Sequence, residues 1–274
     1  MSRWMRSWKQ LSPLGQLRHW RNGQIEAFCR RQGFLPIDET QDQDVFICGY
    51  PKSGNTWVQN LMASLLFGLE PRYLTDRLVQ EVVPDIHQSH FYKRFFDTAY
   101  FKTHHSCQSN YRRIVHLVRD PRDVAASYYH FDRARGQSVS LEKKTEAVIE
   151  SWKTHTLSYL ESTGKKPIIL LRYEDLLTQP EVEVRRLLQF CQLERSAEVQ
   201  ARAIEGNRFS RIASRERKFG MANPRWPSEK SFFRKGQAGS YMETLRKEDV
   251  SAIESSLEDL MLELGYRESP IHSI

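Results

Sequence analysis

Asp44-Val45-Phe46-Ile47-Cys48-Gly49-Tyr50-Pro51-Lys52-Ser53-Gly54-Asn55-Thr56-Trp57 reads as a buried strand, a tight loop and the start of a helix. Val45 to Cys48 form a short apolar run of strand character, and Pro51 and Gly54 punctuate the turn. Beyond it Trp57, Val58, Leu61, Met62, Leu65 and Leu66 recur at helical spacing. A loop that opens a helix aims free backbone N–H groups and the positive end of the dipole at whatever lies in front of it. Lys52 adds a full charge, and Ser53, Asn55 and Thr56 add short donors. The combination predicts a phosphate cradle.

Working outward, Ile114-Val115-His116-Leu117-Val118 is a second apolar strand, followed by Arg119-Asp120-Pro121 and a helix through Ser127 to Phe131. Arg119 falls at a strand end, where open α/β sheets bind ligands. Ser127 follows about two turns along, so guanidinium and hydroxyl can meet on one phosphate; the competing assignment pairs Arg119 with Asp123. A third segment, Phe232-Phe233-Arg234-Lys235-Gly236-Gln237-Ala238-Gly239, sets consecutive cations before two glycines, as a loop closing over an anion requires. Between the first two segments, Tyr100-Phe101-Lys102-Thr103-His104-His105 carries Lys102 and His104 at period two, on one face of a strand end. A histidine near its unperturbed pKa can take a hydroxyl proton at neutral pH.

The P-loop of nucleoside-triphosphate enzymes places its lysine after the last glycine, whereas Lys52 precedes Gly54. The order Tyr-Pro-Lys-Ser-Gly-Asn-Thr-Trp instead resembles the 5′-phosphosulfate loop of sulfotransferases that use 3′-phosphoadenylyl sulfate (PAPS). The Arg119–Ser127 segment resembles that family's 3′-phosphate segment, and Arg234-Lys235-Gly236 its R-K-G-x-x-G loop. Ser240-Tyr241 stands where the family usually has Asp-Trp, which puts the local packing there in question.

The resemblance spans roughly residues 44–241 and implies a single α/β domain with a mostly parallel sheet flanked by helices, P-loop-kinase-like. It implies sulfuryl transfer from PAPS to an acceptor hydroxyl or amine, releasing adenosine 3′,5′-bisphosphate (PAP) without a metal. By its motifs His104 is the base, with His105 as competitor; Lys52 stabilises the leaving group, and Lys102 helps hold the sulfuryl oxygens. Lys52, Ser53, Gly54, Asn55 and Thr56 would contact the 5′ end of the donor, and Arg119, Ser127, Arg234, Lys235 and Gly236 its 3′-phosphate. Trp57, Tyr173 and Phe209 would approach the adenine, and Asn207 occupies a position where many members carry Thr. Two other classes compete: an ATP-dependent kinase of the P-loop type, and a non-catalytic adapter that binds PAPS or polyanions.

Composition bounds the remainder. The chain has 274 residues, enough for one α/β domain with insertions, and its four cysteines are scattered without metal or disulfide spacing. No apolar run approaches the roughly 18–20 residues of a membrane span, so a reducing cytoplasm is the expected location. The net charge of +7 is uneven: residues 1–31 carry +6 and residues 202–235 carry +7. The first cluster interleaves Trp4, Trp8, Leu11, Leu14, Leu17 and Trp20 with cations. It would either pack on its own domain or lie on a membrane surface, and Pro13 would interrupt a long helix. No nucleic-acid motif accompanies the charge.

Strands are expected near 44–49, 98–103, 113–118 and 167–173, and helices over about 181–192 and 247–264. Residues 72–97 and 132–142 lack periodicity and are expected as loops over the site. In the first, His87, His90, Phe91, Tyr92, Lys93, Arg94, Phe95 and Phe96 suit an acceptor pocket for a small-molecule, lipid or carbohydrate partner. Lys93, Arg94, Arg112 and Arg113 would tolerate an acidic acceptor. The K-x-x-x-T-V-x-x-x-E dimer segment of many cytosolic members has no clear counterpart around Met242 to Val250, leaving the oligomeric state open.

Overall fold

A computed structural model describes residues 13–68, 70–221, 226–227 and 229–268, with 13–20 described by backbone alone. Four strands form a parallel sheet: β2 (Val45–Gly49), β4 (Tyr100–Thr103), β5 (Arg113–Val118) and β6 (Ile168–Arg172), in the order β4-β2-β5-β6. Ile47 lies beside both Lys102 and Val115, and His116 beside Leu170. Strands β2 and β4 are buried along their whole length; β2 reads as an unbroken apolar run, whereas β4 buries Lys102 and Thr103 beside Tyr100 and Phe101. Two short strands, β1 (Phe34–Pro36) and β3 (Phe91–Lys93), pair antiparallel beside this sheet.

Helices cover both faces. On one lie α2 (Asn55–Phe67), α3 (Asp76–Val82), α7 (Pro180–Cys191) and α8 (Ala197–Gly206), whose Val58, Leu61, Leu65, Val79, Leu187 and Ala203 join Ile47, Val115 and Leu117 in one core. On the other lie α4 (Pro121–Ala134), α5 (Leu141–Leu160), α10 (Lys247–Ser256) and α11 (Glu258–Glu263), joined through Val124, Trp152, Ile253, Leu260 and Met261. The remaining helices are α1 (Pro13–Arg31), α6 (Tyr173–Thr178) and α9 (Phe209–Phe219).

Two expectations need correction. Helix α1 is described from Pro13 onward, so the interruption expected at Pro13 falls at the edge of the described residues. The helix expected over 247–264 is two helices that part at Leu257, whose φ and ψ of −120° and 18° leave the helical range. Residues 72–97 are not all loop, since α3 and β3 lie within them. Helix α3 starts where the Thr75 side chain accepts from Leu78 N–H, and it is only seven residues long, too short to show a period. The membrane-contact reading of Trp4, Trp8 and Leu11 lies outside the described residues. Where α1's side chains are described it is largely exposed, with Arg30 paired to Glu26 and Glu39.

Candidate active site

A cavity of about 780 Å³ opens at the carboxyl ends of the parallel strands. The residues that follow each strand line it: Pro51, Lys52 and Gly54 to Trp57 after β2, His104 after β4, Arg119 after β5 and Tyr173 after β6. Parallel strands deliver their next residues to one edge of the sheet, so segments far apart in sequence converge.

The cradle is held in a costly backbone conformation. Lys52 sits in the left-handed region at φ 74°, and Gly54 at φ 99°. Asn55 Nδ2 ties the loop by donating to the carbonyls of Gly49 and Tyr50 at 3.2 and 2.9 Å. A β-carbon on Gly49 would overlap the Asn55 side chain, and one on Gly54 would lie 2.7 Å from the Tyr173 ring. No side chain caps α2, which leaves its N-terminal end free for a ligand.

The Lys52 ammonium lies 4.2 Å from the Phe131 ring centre and 4.8 Å from that of Phe232, and no carboxylate pairs with it among the described residues. Burial, with Arg119, Lys102 and Arg234 nearby, pushes its pKa down to about 7. Arg119 stacks over Tyr173 at 4.2 Å and donates to the carbonyls of Lys52 and Gln237 at 3.3 and 2.9 Å. It also pairs with Asp123 at 3.5 Å, as the competing assignment expected, and it lines the cavity as well. Ser127 lines the same cavity from α4.

Residues 232–239 form a strap over the cavity with an anchor at each end. Glu216 accepts from the N–H groups of Phe232 and Phe233, the second at 3.1 Å. Asp123 accepts from Gly239 N–H at 2.8 Å, Tyr241 N–H at 2.9 Å and the Ser240 hydroxyl at 3.2 Å. These bonds settle the packing around Ser240-Tyr241, and Arg122 stacks on the Tyr241 ring at 4.7 Å. Gly236, at φ 63°, lies on the face of Phe209, which any β-carbon there would overlap. Arg234 lines the cavity, its pKa lowered by burial and by Arg119; Lys235 is tied to Glu243.

His104 and His105 part company. His104 lines the cavity, and its Nδ1 lies 2.9 Å from the Gly49 carbonyl. A carbonyl only accepts, so Nδ1 carries the proton and Nε2 is left with its lone pair. Burial first, and then the Lys102 ammonium, push the His104 pKa below its ordinary value and keep the ring neutral. His105 is exposed, sits 3.2 Å from the Tyr111 hydroxyl and does not line the cavity. Lys102 is buried against Asp85 at 2.9 Å, with the Thr56 hydroxyl at 3.5 Å.

Two expected donor contacts are not brought to the cavity. Ser53 is fully buried and its hydroxyl has no partner. Asn207 is fully buried too: its amide donates to Ser64 Oγ at 2.7 Å and Ala203 O at 2.8 Å, and accepts from Arg215 at 2.8 Å. Trp57 and Tyr173 meet edge to face at 5.3 Å on the wall, and Phe209 also lines it.

The acceptor wall differs from expectation. His87 and His90 line the cavity, but Phe91 to Phe96 do not. Tyr92 donates to Glu39 O, Arg94 pairs with Asp44 at 2.8 Å, and Phe95 and Phe96 pack on Phe67. Arg112 pairs with Asp42, and Arg113 donates to the Phe190 carbonyl. The aromatic wall comes instead from Tyr128, Phe131, Trp226 and Phe232. Sequence reasoning also missed Asp85 and Glu216, and the strap contacts of Asp123, because a lone acid carries no motif and its role depends on what folding sets beside it.

Fold and site together define an α/β domain of the nucleotide-kinase class whose cation-bearing loop and strap line one cavity. Residues 42–265 match the family profile described as the sulfotransferase domain. Cytosolic sulfotransferase 12 of Arabidopsis thaliana is 26% identical over 257 residues, covering 81% of this chain and 78% of its own. Sulfotransferase 1B1 of Canis lupus familiaris is 26% identical over 230 residues, covering 74% of this chain and 78% of its own. Mouse sulfotransferase SULT7A1 complexed with PAP shares the fold with a TM-score of 0.62 at 18% identity, covering 82% of this chain and 87% of its own. Retinol dehydratase in complex with retinol and PAP gives 0.62 at 19% identity, covering 81% and 82%. The chain belongs to the sulfotransferase family, whose sulfuryl donor is PAPS. Among the described residues no helix is long and apolar enough to cross a membrane.

Proposed function

We propose that this protein transfers the sulfuryl group of PAPS to a hydroxyl of a small-molecule acceptor, with His104 as general base. One observation carries the reading: an ammonium without a carboxylate partner and a neutral imidazole face the same cavity. Lys52 supplies the first, and His104, with Nδ1–H committed to Gly49, supplies the second. His104 Nε2 takes the proton as the acceptor oxygen bonds to sulfur. The bond from sulfur to the bridging oxygen breaks, and Lys52 stabilises the charge that builds on that oxygen as PAP leaves. Arg119, Ser127 and Arg234 grip the 3′-phosphate. Lys102, already neutralised by Asp85, orients rather than charges the reacting end. The PAP named with the mouse sulfotransferase and with retinol dehydratase fits this assignment.

The test is transfer from labelled PAPS to acceptors in a mixed metabolite extract, with the product identified by mass. We expect His104→Ala to lower kcat by about 10²–10⁴-fold and Lys52→Ala by about 10²–10³-fold, with melting temperature retained. Full activity in either variant overturns the assignment of that residue. Stabilisation by PAP without turnover on any acceptor would mark an adapter, and selective stabilisation by ATP–Mg²⁺ a kinase.

A further inference from the structure

Helix α4 presents a single stripe to the cavity region. Asp123, Ser127, Phe131 and Arg135 follow one another at intervals of four residues, and such spacing stays on one helix face. Asp123 holds Arg119 and the strap, and Ser127 faces the proposed 3′-phosphate. Phe131 carries the Lys52 ammonium on its ring, which marks the sulfuryl end of the donor. Arg135, just past the helix end, lies at 5.5 Å on the same ring and lines the same cavity. At 1.5 Å per residue its backbone is about 12 Å beyond Ser127 along the axis, past the sulfuryl end.

The cations of the cavity wall sort by their partners. Lys102, Arg119 and Lys235 each have a carboxylate, on Asp85, Asp123 and Glu243. Lys52 and Arg234 have none among the described residues. Arg135 has none either, and it stands exposed at the far end of the stripe, beyond the donor, where an acceptor can meet it. The Phe131 ring packs on Trp226 at 5.1 Å, and Phe232 closes edge-on at 6.3 Å, so the approach to Arg135 is an aromatic surface. A planar guanidinium at the end of an apolar slot fits a carboxylate or similar oxyanion.

We propose that Arg135 selects the acceptor: a phenol or alcohol on an apolar body that also carries an anionic group remote from the accepting hydroxyl. The inference rests on the sulfotransferase reading for its geometry, and its test separates the two. On the PAP-loaded protein, calorimetry would compare 4-hydroxyphenylacetate with its neutral alcohol and amine analogues, 4-hydroxyphenylethanol and tyramine. The carboxylate should bind about tenfold more tightly than the alcohol and the amine most weakly, as expected for one charge-assisted hydrogen bond. Arg135→Glu should reverse the order of carboxylate and amine, and Arg135→Ala should bring the three together. Equal affinities in the unaltered protein, no measurable binding of any probe, or an unchanged order in Arg135→Glu would each overturn the proposal. Retained PAP stabilisation in both variants shows that the donor half is intact. Binding in the expected order without sulfation of any probe would count against the transfer reading and leave the selectivity standing.

Discussion

Lys52 is held between two demands. Its burial among cations draws its pKa down to about 7, while a bound polyanion favours the ammonium. In the empty site at pH 8 the amine is therefore largely neutral, and ligand binding should draw a proton from solution. Calorimetric titration of PAP at pH 8, in buffers of different ionisation enthalpy, should show uptake of close to one proton, falling towards zero at pH 6. No uptake at either pH would mean that the ammonium is already paired in the free protein. Lys52 itself was legible from sequence because its order relative to Gly54 separates two known cradles. Its consequence was not legible, because the rings of Phe131 and Phe232 and the charges of Arg119 and Arg234 arrive from two other segments.

Among the elements, α4 and the strap behave as one unit, because a single carboxylate joins them. Asp123 is buried and accepts three hydrogen bonds from Gly239, Ser240 and Tyr241 while pairing with Arg119. Removing one partner of a buried pair leaves the other uncompensated, at about 3 kcal/mol or more. Asp123→Ala should lower stability by that order and loosen the strap ahead of the sheet. Hydrogen exchange should show the amides of Gly239 and Tyr241 at least about tenfold faster, with β2 and β5 amides tracking only the global change. Strap amides as protected as before would refute the joint. Strands β2, β5 and β6 of the parallel sheet were legible because their apolar runs leave few alternatives. The break at Leu257 and the short α3 were not, because each depends on a local dihedral or cap rather than on a period.

Across the whole molecule, buried imidazoles set the acid limit. His116 is buried with Nε2 unpaired and stacked on Tyr159 at 4.4 Å, and burial holds its pKa well below the ordinary value. Burial likewise draws His155 down to about 4. The unfolded chain takes up protons on both rings near pH 6.5, whereas in the folded one His155 does so only near pH 4 and burial holds His116 well below its ordinary range. Their contribution is therefore complete above pH 6.5 and is lost on acidification through that window, at about 1.4 kcal/mol per pH unit per histidine. Melting temperature should fall steeply from pH 7 to pH 5, and His155→Phe should flatten the slope; an unchanged slope would exclude His155 as a source. The family was legible across residues 44–241 because three anion-binding segments keep their order. The acceptor side was not, since the aromatic run Phe91 to Phe96 packs away from the cavity and the wall is built from Phe131, Trp226 and Phe232.

The strap's anchors also govern which of its letters can change. Glu216, Asp123 and Arg119 take hold of it chiefly through main-chain atoms, at Phe232, Phe233, Gln237, Gly239 and Tyr241. Every residue type except proline offers the same N–H, and every residue the same carbonyl. The closure is therefore indifferent to side chains at Gln237 and Ala238, and demanding at Gly236, where the Phe209 ring leaves no room, and at Gly239, whose φ of 75° is left-handed. Substitutions at Gln237 and Ala238 should leave the closed strap in place.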